Sequence, residues 1–114
     1  MLNYFLKKKS KLLKSTNFQY VFSNPCNKNT FYINILGRSN LLGHPRLGLS
    51  ISRKNIKHAY RRNKIKRLIR ETFRLLQHRL ISMDFVVIAK KNIVYLNNKK
   101  IVNVLEYIWS NYQR

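Results

Sequence analysis

Apolar residues alternate strictly with small or polar residues in the segment RLGLSISR, residues 46–53. Leu47, Leu49 and Ile51 fall on one side of an extended chain, with glycine and serine between them, which is typical of a half-buried strand. The segment FYINILGR, residues 31–38, also has the composition of a strand, and GRSNLLGHPR between the two is rich in turn residues. We therefore predict an antiparallel hairpin whose outer face is small and polar, so that another chain can approach it closely.

The rest of the chain contains three helical patterns and one further strand. The predicted helices are a short one from Ser15 or Thr16 to about Phe22, ended by Asn24 and Pro25, a long one from Lys54 to about Leu80, and a last one capped at Asn97 or Asn98. The run MDFVVIAKK predicts a strand from about Asp84 to Lys90 that is apolar on both faces and therefore central in its sheet. The order α, β, β, α, β, α predicts a single α+β domain over residues 15–114, preceded by a basic arm over residues 1–14.

The long predicted helix separates into an apolar face and a cationic face when its residues are placed about 100° apart. The apolar face contains Ile65, Leu68, Ile69, Thr72, Phe73 and Leu76. The neighbouring face contains Arg62, Asn63, Lys66, Arg67, Arg70 and Arg74. Stacked like charges cost a few tenths of a kcal/mol per pair, and a solvated helix face usually mixes signs. We therefore predict that the apolar face docks on the sheet and the cationic face binds phosphates.

Composition supports a polyanionic partner. The chain carries 24 Lys and Arg against 3 acidic residues, a formal net charge of +21, yet 45% of its 114 residues are hydrophobic, as in a folded domain. Nucleic acid fits this balance better than a membrane surface, because no apolar run approaches the ~20 residues that span a bilayer. The start of the chain lacks the order of a secretory signal, and the single Cys26 fits a reducing compartment. We expect a cytoplasmic protein.

The motifs resemble a known family. LGLSISRK, the following RRNKIKRLIRETFRL and the later MDFVVIAKK resemble the bacterial ribonuclease P protein component, and ILGRSNLLGHPR is similar to the enterobacterial form. The resemblance covers roughly residues 14–112. The family signature has Arg-Asn-Arg where this chain has Arg62, Asn63 and Lys64. Lysine keeps the charge but lacks the planar fork of arginine.

This resemblance implies a fold and a function. The implied fold is a small two-layer α/β sandwich, similar to the second domain of a ribosomal protein, with a left-handed βαβ crossover. The implied function is that of the protein subunit of an endoribonuclease that removes the 5′ leader from precursor tRNA. The implied partners are the ribonuclease P RNA and precursor tRNA, with no DNA and no membrane. Catalysis is expected in the RNA subunit, which would also hold magnesium, so no cofactor and no metal site are expected in the protein.

The resemblance also assigns residues to two RNA-binding sites. The residues that would face the RNA subunit are Arg62, Asn63, Lys64, Lys66, Arg67 and Arg70. The residues that would line a cleft for the single-stranded leader are Phe18, Phe22, Tyr32, Asn34, Ser50 and Lys54. Aromatic side chains beside a basic groove are a typical platform for single-stranded RNA. From the residues alone, the alternative that Phe18 and Phe22 belong to the core stays open.

The acidic residues and histidines do not form a recognisable catalytic pattern. Metal-dependent phosphodiester hydrolysis usually needs several carboxylates around one or two cations, and Glu71, Asp84 and Glu106 have no spacing that suggests convergence. The histidines are His44, His58 and His78, and no metal-ligand spacing joins them to the cysteine. A nuclease acting alone is thus disfavoured. The alternatives are a ribosomal protein or RNA chaperone without a processing role, and a DNA-binding regulator, for which no helix-turn-helix precedes the long helix.

Overall fold

The computed structural model describes residue 11 and residues 15–23 and 26–114. Lys11 is the only residue of the predicted arm among them, and Asn24 and Pro25 also lie outside the described residues. In chain order the elements are α1 (Ser15–Ser23), β1 (Cys26–Asn29), β2 (Ile33–Ser39), β3 (Arg46–Ser50), α2 (Ala59–Leu76), β4 (Met83–Ala89) and α3 (Asn98–Trp109). Short 3₁₀ turns cover Gln77–Arg79, Lys91–Tyr95 and Ser110–Tyr112.

The four strands form one mixed sheet in the order β1-β2-β4-β3. β2 pairs antiparallel with β4, and β3 pairs parallel with β4. The predicted hairpin between the strands at 31–38 and 46–53 is therefore wrong, because β4 lies between them. β4 is buried along nearly its whole length, as predicted for a central strand, and only a central position gives it ladder partners on both edges. The β3-α2-β4 unit is the parallel crossover that was expected, and its left-handedness stays a prediction.

The two faces of the sheet carry different helices. α2 and α3 pack on one face around Phe73, Phe85, Trp109 and Tyr112, which contact one another through their rings. α1 packs on the other face, where Val21 meets buried side chains of β2 and β4. The apolar face predicted for the long helix is confirmed, since its side chains belong to or pack against the larger core. The chain is thus an α+β domain whose sheet is covered by two helices on one side and one short helix on the other.

Helix boundaries differ from the predictions at one important place. α2 begins at Ala59 and not at Lys54, because residues 51–58 form a loop that ends with His58 in an extended conformation. The N-cap of α3 is as predicted, since the Asn97 side chain accepts a hydrogen bond from the backbone N–H of Lys100 at 2.9 Å. β1 was not predicted, because its residues CNKN are exposed and lack an apolar pattern, and its pairing with β2 is a backbone ladder.

Candidate RNA interface

The cationic face of α2 points away from the core. Asn63, Arg67 and Arg70 are exposed, while Arg62, Lys64, Lys66 and Arg74 are half-buried. Glu71 offsets this charge only weakly, since it lies 3.9 Å from Arg67 with both side chains largely in solvent. The structure places all the residues assigned to the RNA-subunit site on one helix, where Asn63, Lys66, Arg67 and Arg70 share the outer side and Arg62 and Lys64 lie towards its opposite edges.

Arg62 differs from the other cations of this face. Its Nη1 donates hydrogen bonds to the backbone carbonyls of Ile56 at 2.9 Å and Lys57 at 2.8 Å. Side chains on a helix lean towards its N-terminus, so an arginine in the first turn can reach back to the preceding loop. Arg62 thus has a structural contact within the protein in addition to any contact it makes with RNA.

The second candidate surface is the face of the sheet that carries α1. Asn34 of β2 pairs with Ile88 of β4, which in turn pairs with Ser50 of β3, so the three residues form one row across the sheet. α1 packs over the neighbouring row at Leu36 and Val86. The side of this face towards β3 consists of Gly48, which is buried, and Ser50, which is half-buried. The small, polar strand face that was predicted from the alternation lies here.

The residues assigned to the leader cleft are distributed around this row, and their environments differ. Phe18 is half-buried and packs against the small cluster under α1. Phe22 is 46% exposed, so the interpretation of this ring as plain core is not supported by its position. Tyr32 is half-buried but packs against the larger core, with its ring edge-on to Phe31 at 5.2 Å between centroids. Lys54 is exposed in the loop that follows Ser50.

Asn34 has an unusual environment in this row. Its side-chain oxygen Oδ1 is buried and makes no hydrogen bond within the described part of the chain. An unpaired buried carbonyl costs free energy, so this position is unfavourable for the stability of the fold.

A contact that the sequence did not predict fixes α1 against the sheet. Arg38 of β2 lies over the ring of Tyr20 at 4.0 Å and donates from Nη1 to the Tyr20 carbonyl at 2.9 Å and to Ser23 Oγ at 2.5 Å. The Tyr20 hydroxyl donates to the carbonyl of Ser39 at 2.6 Å. Because side chains alternate along β2, Arg38 lies on the face that carries α1. Only the packing of α1 shows that its guanidinium group makes a cation–π contact within the protein.

The three acidic side chains lie in two different environments. Asp84 is 1% exposed and accepts two hydrogen bonds from Arg46, while Asn40 donates to the same carboxylate. This hydrogen bonding raises the pKa of Arg46 above its ordinary value, against a smaller lowering by burial. Glu71 and Glu106 line one groove between α2 and α3, which the sequence did not predict. Within the described residues, no group of three His, Cys, Asp or Glu side chains could hold a metal ion.

The histidines are also separated. His44 lies in the loop between β2 and β3, His58 precedes α2 with its ring 5.5 Å from that of Tyr60, and His78 lies in the 3₁₀ turn after α2. These three positions belong to different parts of the fold and offer no acid–base pair. No helix in the described part of the chain is long and apolar enough to cross a lipid bilayer.

Comparison with known proteins agrees with this geometry. The family model described as Ribonuclease P matches residues 6–113. The chain belongs to the bacterial ribonuclease P protein family. It is 97% identical over its whole length to the ribonuclease P protein component of Buchnera aphidicola subsp. Schizaphis graminum. It is 51% identical over 104 residues to that of Serratia proteamaculans, covering 91% of this chain and 87% of the relative.

Solved ribonuclease P proteins have the same fold. The protein from Staphylococcus aureus superposes with a TM-score of 0.83 at 29% identity, covering 89% of this chain and 93% of the other. The protein from Thermotoga maritima superposes with a TM-score of 0.80 at 27% identity, covering 91% and 98%. The resemblance seen in the sequence motifs, including its enterobacterial character, is confirmed. As a ribonuclease P protein the chain is a subunit of an endoribonuclease of tRNA processing, and its family implies an RNA partner.

Proposed function

We propose that this ribonuclease P protein assists a catalytic RNA in removing the 5′ leader from precursor tRNA, by binding the RNA subunit through α2 and the leader through the cleft beside α1. The observation that carries the proposal is the cationic face of α2, a helix in which Glu71 is the single acidic residue. The residues Arg62, Asn63, Lys64, Lys66, Arg67 and Arg70 lie within about two and a half turns of a helix whose other face is packed into the core. A rigid helix that presents cations at helical spacing matches the spaced phosphates of a folded RNA.

The cleft supplies the second half of the proposal. An exposed Phe22 and a half-buried Phe18 belong to the helix that packs on the same face of the sheet as Gly48 and Ser50, and Lys54 is exposed in the loop that follows β3. Unpaired bases stack on aromatic rings, and a nearby cation attracts the backbone. A single-stranded leader fits this surface better than a duplex, because the rings can reach only bases that are splayed out. Binding the leader would favour precursor over mature tRNA.

We place the chemistry in the RNA subunit, together with the magnesium ions that it requires. The supporting observation is that the one buried carboxylate among the described residues is occupied by Arg46 and Asn40. The protein would contribute by lowering phosphate repulsion between the two RNAs, which strengthens the binding of substrate and of RNA-held cations. The exposed free thiol of Cys26 is compatible with the reducing cytoplasm, where we expect the complex to act.

Reconstituted cleavage tests this function directly. The purified protein is mixed with a bacterial ribonuclease P RNA and a 5′-labelled precursor tRNA at low magnesium, and each component is omitted in turn. Cleavage at the mature 5′ end should require the RNA and be stimulated by the protein. Cleavage by the protein without RNA would contradict the placement of catalysis. Binding of RNA without any stimulation would instead favour a ribosomal or chaperone role.

A further inference from the structure

The two candidate RNA surfaces are joined by one short loop. Residues 51–58 connect Ser50, the last residue of β3 and a predicted cleft residue, to Ala59, the first residue of α2. The loop carries the cleft residue Lys54 on its exposed side, together with Arg53 and Lys57. The position of these cations relative to the cleft therefore depends on what holds the loop.

Two sets of contacts hold the first half of this loop. Within the loop, Ser52 Oγ accepts from the backbone N–H of Asn55 at 3.1 Å, and the Ser52 carbonyl accepts from the N–H of Ile56 at 3.0 Å. Outside it, the Asn55 side chain donates to the carbonyl of Ala89 at the end of β4 at 3.3 Å, and the Ile56 side chain is buried in the larger core. These contacts shape the turn, and the carbonyls of Ile56 and Lys57 that follow it accept hydrogen bonds from α2.

The Arg62 side chain of α2 makes these hydrogen bonds. Its two hydrogen bonds to the carbonyls of Ile56 and Lys57 join the first turn of α2 to the loop. A cation in the first turn of a helix is opposed by the helix dipole, and α2 has no acidic residue there to offset it. The two carbonyl oxygens provide the compensating negative ends of dipoles. The contact thus makes a first-turn arginine acceptable and at the same time restrains the loop.

We propose that Arg62 is a positioning residue that couples the two RNA surfaces, because it holds the loop so that Lys54 stands at the cleft. This inference rests on the proposed function and adds a role that differs from phosphate binding. Both bonds come from Nη1, one of the three nitrogens of a guanidinium group. A lysine supplies the charge, but its Nζ lies one bond nearer the backbone than Nη1 and sits on a more flexible stem, so it restrains the loop less.

The test compares discrimination with salt dependence in the reconstituted holoenzyme. The quantity measured is the ratio of affinities for precursor tRNA with a leader and for mature tRNA, together with the salt slope of protein binding to the RNA subunit. Arg62→Gln should lower the ratio about tenfold, the effect of losing one charge-assisted contact. Arg62→Lys should keep the salt slope and still lower the ratio. Lys66→Gln, one turn along the same helix, is the matched control and should change the slope while leaving the ratio intact.

The outcomes separate this inference from the proposed function. Lys54→Gln and Phe22→Leu should each lower the ratio, and if neither does, the leader cleft is wrong and the inference with it. If they lower the ratio but both Arg62 variants leave it unchanged, Arg62 is only a phosphate contact and the coupling is refuted. Amide hydrogen exchange should rise at residues 52–58 in Arg62→Gln but not in β4. A rise in hydrogen exchange throughout the protein would mean that Arg62→Gln destabilises the whole fold. The affinity ratio measured for Arg62→Lys would then be the test of the coupling.

Discussion

Arg46 and Asp84 are paired residues of the parallel strands β3 and β4, and their side chains form a bidentate ion pair. Nε of Arg46 donates to Oδ1 at 2.8 Å and Nη2 donates to Oδ2 at 2.7 Å. Asn40 adds a third donor to Oδ1 at 2.8 Å, and its own Oδ1 accepts from Ser82 Oγ and from the backbone N–H of Leu42. This network holds the loop between β2 and β3 against the start of β4, so that the chain can cross over β4 to form β3 on its far side.

Replacing the buried carboxylate should destabilise the fold strongly. Asp84→Asn leaves the guanidinium of Arg46 without its counter-charge, and breaking a buried pair in this way typically costs several kcal/mol. Because Arg46 is partly exposed, we expect a loss near the lower end, about 3 kcal/mol, in the free energy of unfolding measured by urea denaturation. Glu106→Gln removes an exposed carboxylate and is the control, with an expected change within about 0.5 kcal/mol. Similar small changes in both variants would show that the ion pair contributes little.

Removing cations from α2 should weaken RNA binding in a salt-dependent way. Each of Lys66→Gln, Arg67→Gln and Arg70→Gln should lower the magnitude of the log–log salt slope for binding to the RNA subunit by about 0.7–0.9, one phosphate contact each. Lys99→Gln and Lys100→Gln remove exposed cations from the start of α3 and should leave the slope nearly unchanged. Equal effects of the two groups, measured by filter binding over a salt series, would mean that the net charge and not the α2 surface binds the RNA.

Replacing the exposed aromatic ring of Phe22 should reduce leader binding without destabilising the fold. Phe22→Leu removes a stacking surface worth about 1–3 kcal/mol per base, so affinity for leader-bearing precursor should fall about tenfold while affinity for mature tRNA is kept. The thermal midpoint should change little, because the ring is half in solvent. Tyr95→Leu, at a highly exposed tyrosine after β4, is the control. Parallel losses for precursor and mature tRNA would assign Phe22 a structural role.

The buried tyrosine at the end of the chain should make stability sensitive to alkaline pH. Burial, and then the neighbouring Cys26, raise the pKa of Tyr112, whose hydroxyl donates to the carbonyl of Cys26 at 2.9 Å. A raised folded-state pKa means that the stabilising effect is complete below about pH 10, where tyrosine ionises in the unfolded chain, and declines as the pH rises further, by at most about 1.4 kcal/mol per pH unit.

Tyr112→Phe tests this effect. The variant should be about 1 kcal/mol less stable at neutral pH because of the lost hydrogen bond, and the difference from the parent should shrink above about pH 10. Tyr107→Phe changes an exposed ring on α3 and should follow the parent curve throughout. Urea denaturation at several pH values measures both. A constant difference across the pH range would show that Tyr112 does not ionise on unfolding in this way.

The sequence alone determined the features that depend on local periodicity and on charge. The apolar spacing in α2 and α3 predicted which faces are buried, the doubly apolar run of β4 predicted a central strand, and the surplus of cations with few acids predicted a polyanionic partner. The predictions of buried faces succeed because helix and strand periods place each side chain on a face before any neighbour is known. The resemblance of the motifs then supplied the family, which the comparisons confirm.

Only the tertiary structure decided which elements are neighbours. The alternation in β3 identified its buried side but could not show that β4 and not β2 pairs with it, since a strand period contains no information about the partner. β1 carries no apolar signal because its pairing uses only the backbone. The contacts of Arg46 with Asp84, and of Arg38 with Tyr20, join residues 38 and 18 positions apart. Chain folding brings such groups together, and it alone separated the arginines that serve the fold from those that stay exposed.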